Sequence, residues 1–131
     1  RSHGDYQRYP VPILLFAKRF TRMVESANVK EGILGLSPRH MEIIQQILKR
    51  CAPVSTAVIF GSRAKGTYKS ASDIDLAIKG TTIGKNDVAT LREAFEESLL
   101  PFFVDVISYD SIQNQALKEH IDRVGIPIYQ R

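Results

Sequence analysis

The chain has 131 residues, 44% apolar and 24% charged, and its 18 Lys and Arg outnumber its 14 Asp and Glu to leave a net charge of +4. That length suits one domain, or one domain and an arm, because domains run about 100–150 residues, and the composition excludes the disordered and fibrous classes. No apolar run approaches the roughly 18–20 residues that span a bilayer, and the longest, VPILLFA, soon meets Lys18 and Arg19.

That run resembles a signal peptide only in part, since Pro12 breaks its apolar core and no convincing small-residue cleavage site follows. Cys51 is the one cysteine, so an intrachain disulfide is excluded and a reducing compartment, the cytoplasm, is expected. The cations are spread along the chain rather than gathered in a block. Such a balance suits a polyphosphate or an acidic partner as well as nucleic acid. Phe95, Phe102 and Phe103 lie on apolar faces without interleaved cations and read as core, which argues against a nucleic-acid platform.

Residues 1–10 show no periodicity and read as an irregular arm, and residues 13–27 carry apolar positions at mixed helical spacing. Residues 1–36 are therefore set apart from a domain over 37–131. The leading segment could pack on the domain, pair with a second copy or bind another protein, so a homo- or hetero-oligomer is left open. In the domain, Ser37 can cap a helix, Pro38 suits its first position, Met41, Ile44, Ile47, Leu48 and Cys51 share a face, and Pro53 ends it.

The β-branched run Val54 to Phe60 predicts a buried strand that Gly61 terminates. A polar connection follows, with one helical turn expected over 62–65, and then a second strand over 72–79. Val88, Leu91, Ala94, Phe95 and Leu99 predict a helix capped by Asn86 or Asp87 and stopped by Pro101. A third strand is expected over 102–108, then a last helix from Asp110 that Gly125 closes, and an extended tail. The order predicts an α/β (α+β) domain with a small mixed sheet of three or four strands flanked by helices.

The stretch FGSRAKGTYKSASDIDLAI places two carboxylates in a strand that should be buried. Side chains two apart on a strand share a face, so Asp73 and Asp75 converge, and their repulsion calls for a cation between them. Oxygen donors suit a hard ion, with Mg²⁺ favoured where a phosphate completes the coordination. Gly61 permits close backbone approach and the Ser62 hydroxyl can hold phosphate oxygens. Asp105 interrupts the third strand in the same way and could join the pair around two metals about 3.5–4 Å apart.

Gly61 and Ser62, ten intervening residues, then Asp73, Ile74 and Asp75 resemble the nucleotidyltransferase pattern of the DNA polymerase β superfamily. More narrowly, the chain is similar to the minimal nucleotidyltransferase (MNT) class, found as antitoxins of HEPN/MNT toxin–antitoxin pairs, over about residues 37–130. The resemblance implies a polymerase β-like nucleotidyltransferase fold, two catalytic Mg²⁺ ions shared by Asp73 and Asp75, and Asp105 as the acid on the acceptor side. It also implies that Gly61 and Ser62 seat the β and γ phosphates of ATP, that pyrophosphate leaves, and that AMP passes to a tyrosine of a HEPN-type partner.

Arg63 and Lys65 are placed to steady the triphosphate or the leaving pyrophosphate, although loop cations are as often merely solvated. A P-loop is excluded because Thr67 and Tyr68 stand where Lys and Ser or Thr are required. His40 and His120 fall on predicted helices and read as surface or half-buried side chains, and Tyr68 reads as a loop tyrosine. Two further readings stay open: a binding module of the same fold that neutralises its partner by complex formation, and nucleotidyl transfer to a small molecule.

Overall fold

The computed structural model describes residues 33–131, so the helix expected over 13–27 lies outside the described residues. A 3₁₀ turn at Ile33–Gly35 leads to α1 (Pro38–Lys49), β1 (Val54–Phe60), α2 (Ser62–Lys65), β2 (Ile74–Gly80) and α3 (Lys85–Glu96). Then come β3 (Val104–Ser108), a 3₁₀ turn at Tyr109–Ser111, α4 (Gln115–Val124) and β4 (Ile126–Gln130). The sheet runs β3-β2-β1-β4, with β2 and β3 parallel and the other neighbours antiparallel, so it is mixed and four-stranded. The extended tail is thus a full member of the sheet.

α1 begins where the sequence predicts. Ser37 Oγ accepts from His40 N–H at 3.1 Å, and His40 Nδ1 accepts from Ser37 N–H at 3.1 Å, so an imidazole takes the place a Glu usually has in this reciprocal cap. Other boundaries differ from expectation for local reasons. Gly84, not Asn86 or Asp87, caps α3, and Asp87 reaches back to accept from Gly84 N–H at 2.8 Å. The helix ends at Glu96, which leaves Leu99 outside it and 83% exposed. α4 starts at Gln115 under an Asn114 cap rather than at Asp110, which belongs to the 3₁₀ turn that follows β3.

The two sheet faces are unequal. One face, with Ala57, Ile59, Leu76, Ile78, Val104 and Val106, packs under α1 and α3 and forms the main core. The opposite face carries Val58, Phe60 and Ala77 under Ile121 of α4, a much smaller cluster. Leu34 and Leu36 are buried in the main core, so the segment just ahead of the expected boundary at 36/37 packs with the domain. At the other end Arg131 donates to the carbonyls of Lys49, Cys51 and Val54, tying the end of the chain to the last residue of α1 and the first of β1. Among the described residues no helix is long and apolar enough to cross a membrane.

Candidate active site

β1 ends at Phe60, and β2 and β3 both begin at that same end of the sheet. Phe60 is the antiparallel partner of Asp75, and Asp75 is the parallel partner of Asp105, so the three stand in a row across the strands. Alternation then puts Asp75 and Asp105 on the face of Ala77 and Ile107, the thinly covered one. Asp73 is placed differently from expectation. Pairing of β2 starts at Ile74, whose N–H donates to Phe103 O at 2.9 Å, so Asp73 sits one residue before the strand, in exposed chain. β3 likewise starts at Val104, leaving Phe103 outside the strand and 62% exposed.

Gly61 has φ 75° and ψ −152°, a conformation that only glycine adopts readily. Its missing side chain matters a second time: a Cβ there would fall on Asp75 Oδ2. The turn therefore lies directly against the carboxylate. Ser62 opens the single turn of α2, and Gly66, at φ 81°, closes it. Lys65 is exposed on that turn.

Arg63 requires a correction. Instead of reaching toward a phosphate, its side chain is buried, 2% exposed, and its guanidinium donates to Leu34 O at 2.9 Å and to Ser72 O at 2.6 Å and 3.1 Å. Longer bonds reach Gly35 O and Ser70 O, at 3.3 Å and 3.5 Å. The cation also lies 4.5 Å from the Phe102 ring centroid and 5.3 Å from that of Tyr68. One side chain thus ties the turn after β1, the segment before α1 and the loop that delivers Asp73. Gly35, at φ 71°, is required because Tyr68 and Arg63 occupy the space a Cβ would take. Tyr68 is accordingly packed on this cation, and Phe102 also meets His40 edge-on at 5.0 Å.

Asp75 is pushed above the usual carboxylate pKa, first by burial and then by the negative charges of Asp105 and Asp73. This repulsion is what a bound cation would relieve, and the all-oxygen donor set fits a hard divalent ion. Among the described residues no three His, Cys, Asp or Glu side chains already stand together as ligands, and Asp105 has a cationic neighbour. That neighbour is Arg92 of α3, whose Nη2 is 3.5 Å from Asp105 Oδ1 and which also donates twice to Val106 O, at 2.8 Å and 3.1 Å.

Two site neighbours escape a sequence reading. His120 accepts from Gly61 N–H at 3.2 Å and meets Phe60 edge-on at 6.0 Å. It is 59 residues from Gly61, and no local pattern joins the two. Arg92 lies on the polar side of a helix whose periodicity reports only its apolar side. A cation 13 residues before Asp105 carries no motif either. Beyond Arg92, the outer edge of β3 opens on a groove of about 800 Å³ lined in part by Val88, Ile107 and Leu117.

Residues 42–131 match the family model described as polymerase beta, nucleotidyltransferase. A probable protein adenylyltransferase MntA of Haemophilus influenzae is 33% identical over 103 residues, covering 75% of this chain and 86% of the relative. The fold is similar to that of a toxin–antitoxin crystal structure with AMP-PNP, at a TM-score of 0.59 and 22% identity over 70% of this chain and 73% of the other. It is also similar to a complex of the tri-AMPylated Shewanella oneidensis HEPN toxin with an MNT antitoxin, at a TM-score of 0.54 and 18% identity over 70% of each chain.

Proposed function

The chain belongs to the polymerase beta nucleotidyltransferase family, and within it we propose that this enzyme transfers AMP from ATP to a tyrosine hydroxyl of a HEPN-type toxin and so acts as its antitoxin. The observation that carries this reading is the row formed by the Gly61 turn, Asp75 and Asp105 on an open sheet face. The 33% identical relative is a probable protein adenylyltransferase, and similar folds occur in a HEPN–MNT complex and a toxin–antitoxin structure holding AMP-PNP. A lone cysteine accords with a cytoplasmic setting.

In this reading Asp73 and Asp75, with Asp105, would hold Mg²⁺. When bound, the ion offsets charge on the phosphates and makes the acceptor hydroxyl more acidic. Ser62 and the backbone of the turn seat the β and γ phosphates, with exposed Lys65 available to the same anion. The acceptor oxygen attacks the α-phosphorus, the bond to the bridging oxygen of the β-phosphate breaks, and pyrophosphate carries the negative charge away. The hydroxyl proton leaves by Asp105 to water.

Labelled ATP, Mg²⁺ and the HEPN-type partner, followed by mass spectrometry of the partner, test the reading. Addition of AMP to a tyrosine that disappears in the Asp73→Ala/Asp75→Ala double variant is the expected result. Neutralisation that survives in that variant would make the chain a binding module. Transfer to a small hydroxyl compound without any protein partner would replace the acceptor.

A further inference from the structure

We infer that His120 is a positioning residue of the nucleotide site: its Nε2 fixes the Phe60–Gly61 peptide and so holds the Gly61–Ser62 turn against the Asp75 carboxylate. The inference rests on the reading of that turn as the triphosphate seat.

The β1 ladder to β2 has its last register pair at Phe60 and Asp75, so Gly61 N–H lies just beyond the sheet. His120 takes this amide at 3.2 Å. An imidazole that accepts at Nε2 keeps its ring proton on Nδ1, so the bond defines both the tautomer and the ring orientation. Packing of α4 is provided by Ile121, with Leu117 and Val124 beside it. The polar atom of His120 is therefore spent on one backbone group of the turn. What that group controls is narrow. Gly61 holds a glycine-only conformation, and the Asp75 carboxylate fills the space where its Cβ would be. Rotation of the Phe60–Gly61 peptide would move the turn relative to the carboxylate that the reading assigns to the metal.

A seat displaced by about 1 Å spoils the attack geometry more than it weakens binding, and such displacements cost on the order of 10²-fold in rate. Two replacements separate the acceptor atom from the ring. His120→Gln keeps an acceptor near the Nε2 position, while His120→Phe keeps the edge contact with Phe60 and loses the acceptor.

The test compares these variants with the parent chain by thermal unfolding, by exchange of the Gly61 amide in ¹⁵N-resolved NMR, by ATP binding and by AMP transfer to the partner. With an unchanged Tm, His120→Phe is expected to speed Gly61 amide exchange about tenfold or more and to lower kcat at least about tenfold, with KM for ATP within about threefold. His120→Gln should restore both. Unchanged Gly61 exchange in His120→Phe, or a Gln variant as impaired as the Phe variant, overturns the inference. Where His120→Phe does not fold, His120→Gln against the shorter His120→Asn decides it: equal exchange and equal rates for the two overturn it. A parent chain that transfers no AMP overturns the functional reading instead, and the exchange and ATP-binding comparisons still decide the role of His120.

Discussion

Asp75 Oδ2 occupies the space that a side chain on Gly61 would need. The turn and the carboxylate are therefore built as one unit, and the smallest possible enlargement of the turn should break it. Gly61→Ala meets both the carboxylate and a backbone conformation that costs about 1–3 kcal/mol for other residues. A lowered Tm together with loss of AMP transfer is expected. Full activity in this variant would show that the turn and the carboxylate move independently.

Asp75 also links pH to stability. Its folded pKa is raised above the ordinary value of 3.8, so the folded state binds the proton more tightly than the unfolded chain does. Its contribution is fully favourable below the unfolded pKa and is lost as pH rises through the folded one. At neutral pH the charge therefore works against folding. Asp75→Asn should raise Tm at pH 7 and flatten its pH dependence at mildly acid pH, while lowering AMP transfer on the order of 10³-fold. Thermal scans across pH, beside activity, check both halves.

Magnesium should reverse the same penalty. A ligand that binds only the folded state stabilises it by RT ln(1 + [L]/Kd), so Mg²⁺ with a nonhydrolysable ATP analogue should raise Tm in the parent chain and much less in Asp75→Asn. An equal rise in both would remove Asp75 from the ligand set.

Arg63 separates scaffolding from phosphate contact. Arg63→Ala strips donors from the carbonyls of Leu34 and Ser72 and removes a cation packed on Phe102, so a loss of about 3 kcal/mol or more is expected. Arg63→Lys should rescue little, because an ammonium cannot reproduce the planar fork. At a temperature where the variant stays folded, ATP affinity should remain within about threefold of the parent. An affinity collapse without a change in Tm would return Arg63 to the phosphates.

Arg131 offers a stability test remote from the chemistry. Its guanidinium bonds to Lys49 O, Cys51 O and Val54 O at 2.9–3.0 Å, so Arg131→Ala should cost about 1.5–3 kcal/mol. Denaturant unfolding measures that loss, and ATP affinity should not move.

What could be read from the residues was whatever local order records. The cap at Ser37, the buried run from Val54 to Phe60 and the spacing from Gly61 to Asp75 each lie within one short window, and the elements they predict are present. Asp87 was misplaced because a glycine cap leaves no side-chain signal and the carboxylate acts from three residues inside. Residues 126–130 looked like a tail because strand membership depends on a partner, here β1, far away in the chain. Arg63, Arg92 and His120 follow the same logic. Their roles are set by carbonyls, a carboxylate and an amide that only tertiary packing brings near, so a local motif suggested a phosphate contact for Arg63 and nothing for the other two.

The parallel pairing of Asp75 with Asp105 has a consequence for how this chain tolerates insertions. Side chains alternate along a strand, so a slip of one residue between β2 and β3 would turn Asp105 toward the main core and bring Val104 or Val106 to the open face. The segment from residue 81 to 103 therefore acts as a phase-setting spacer. A residue gained or lost there is harmless where α3 or its loops absorb it, and ruinous where it shifts the strand, even though every acid would still be present in the sequence.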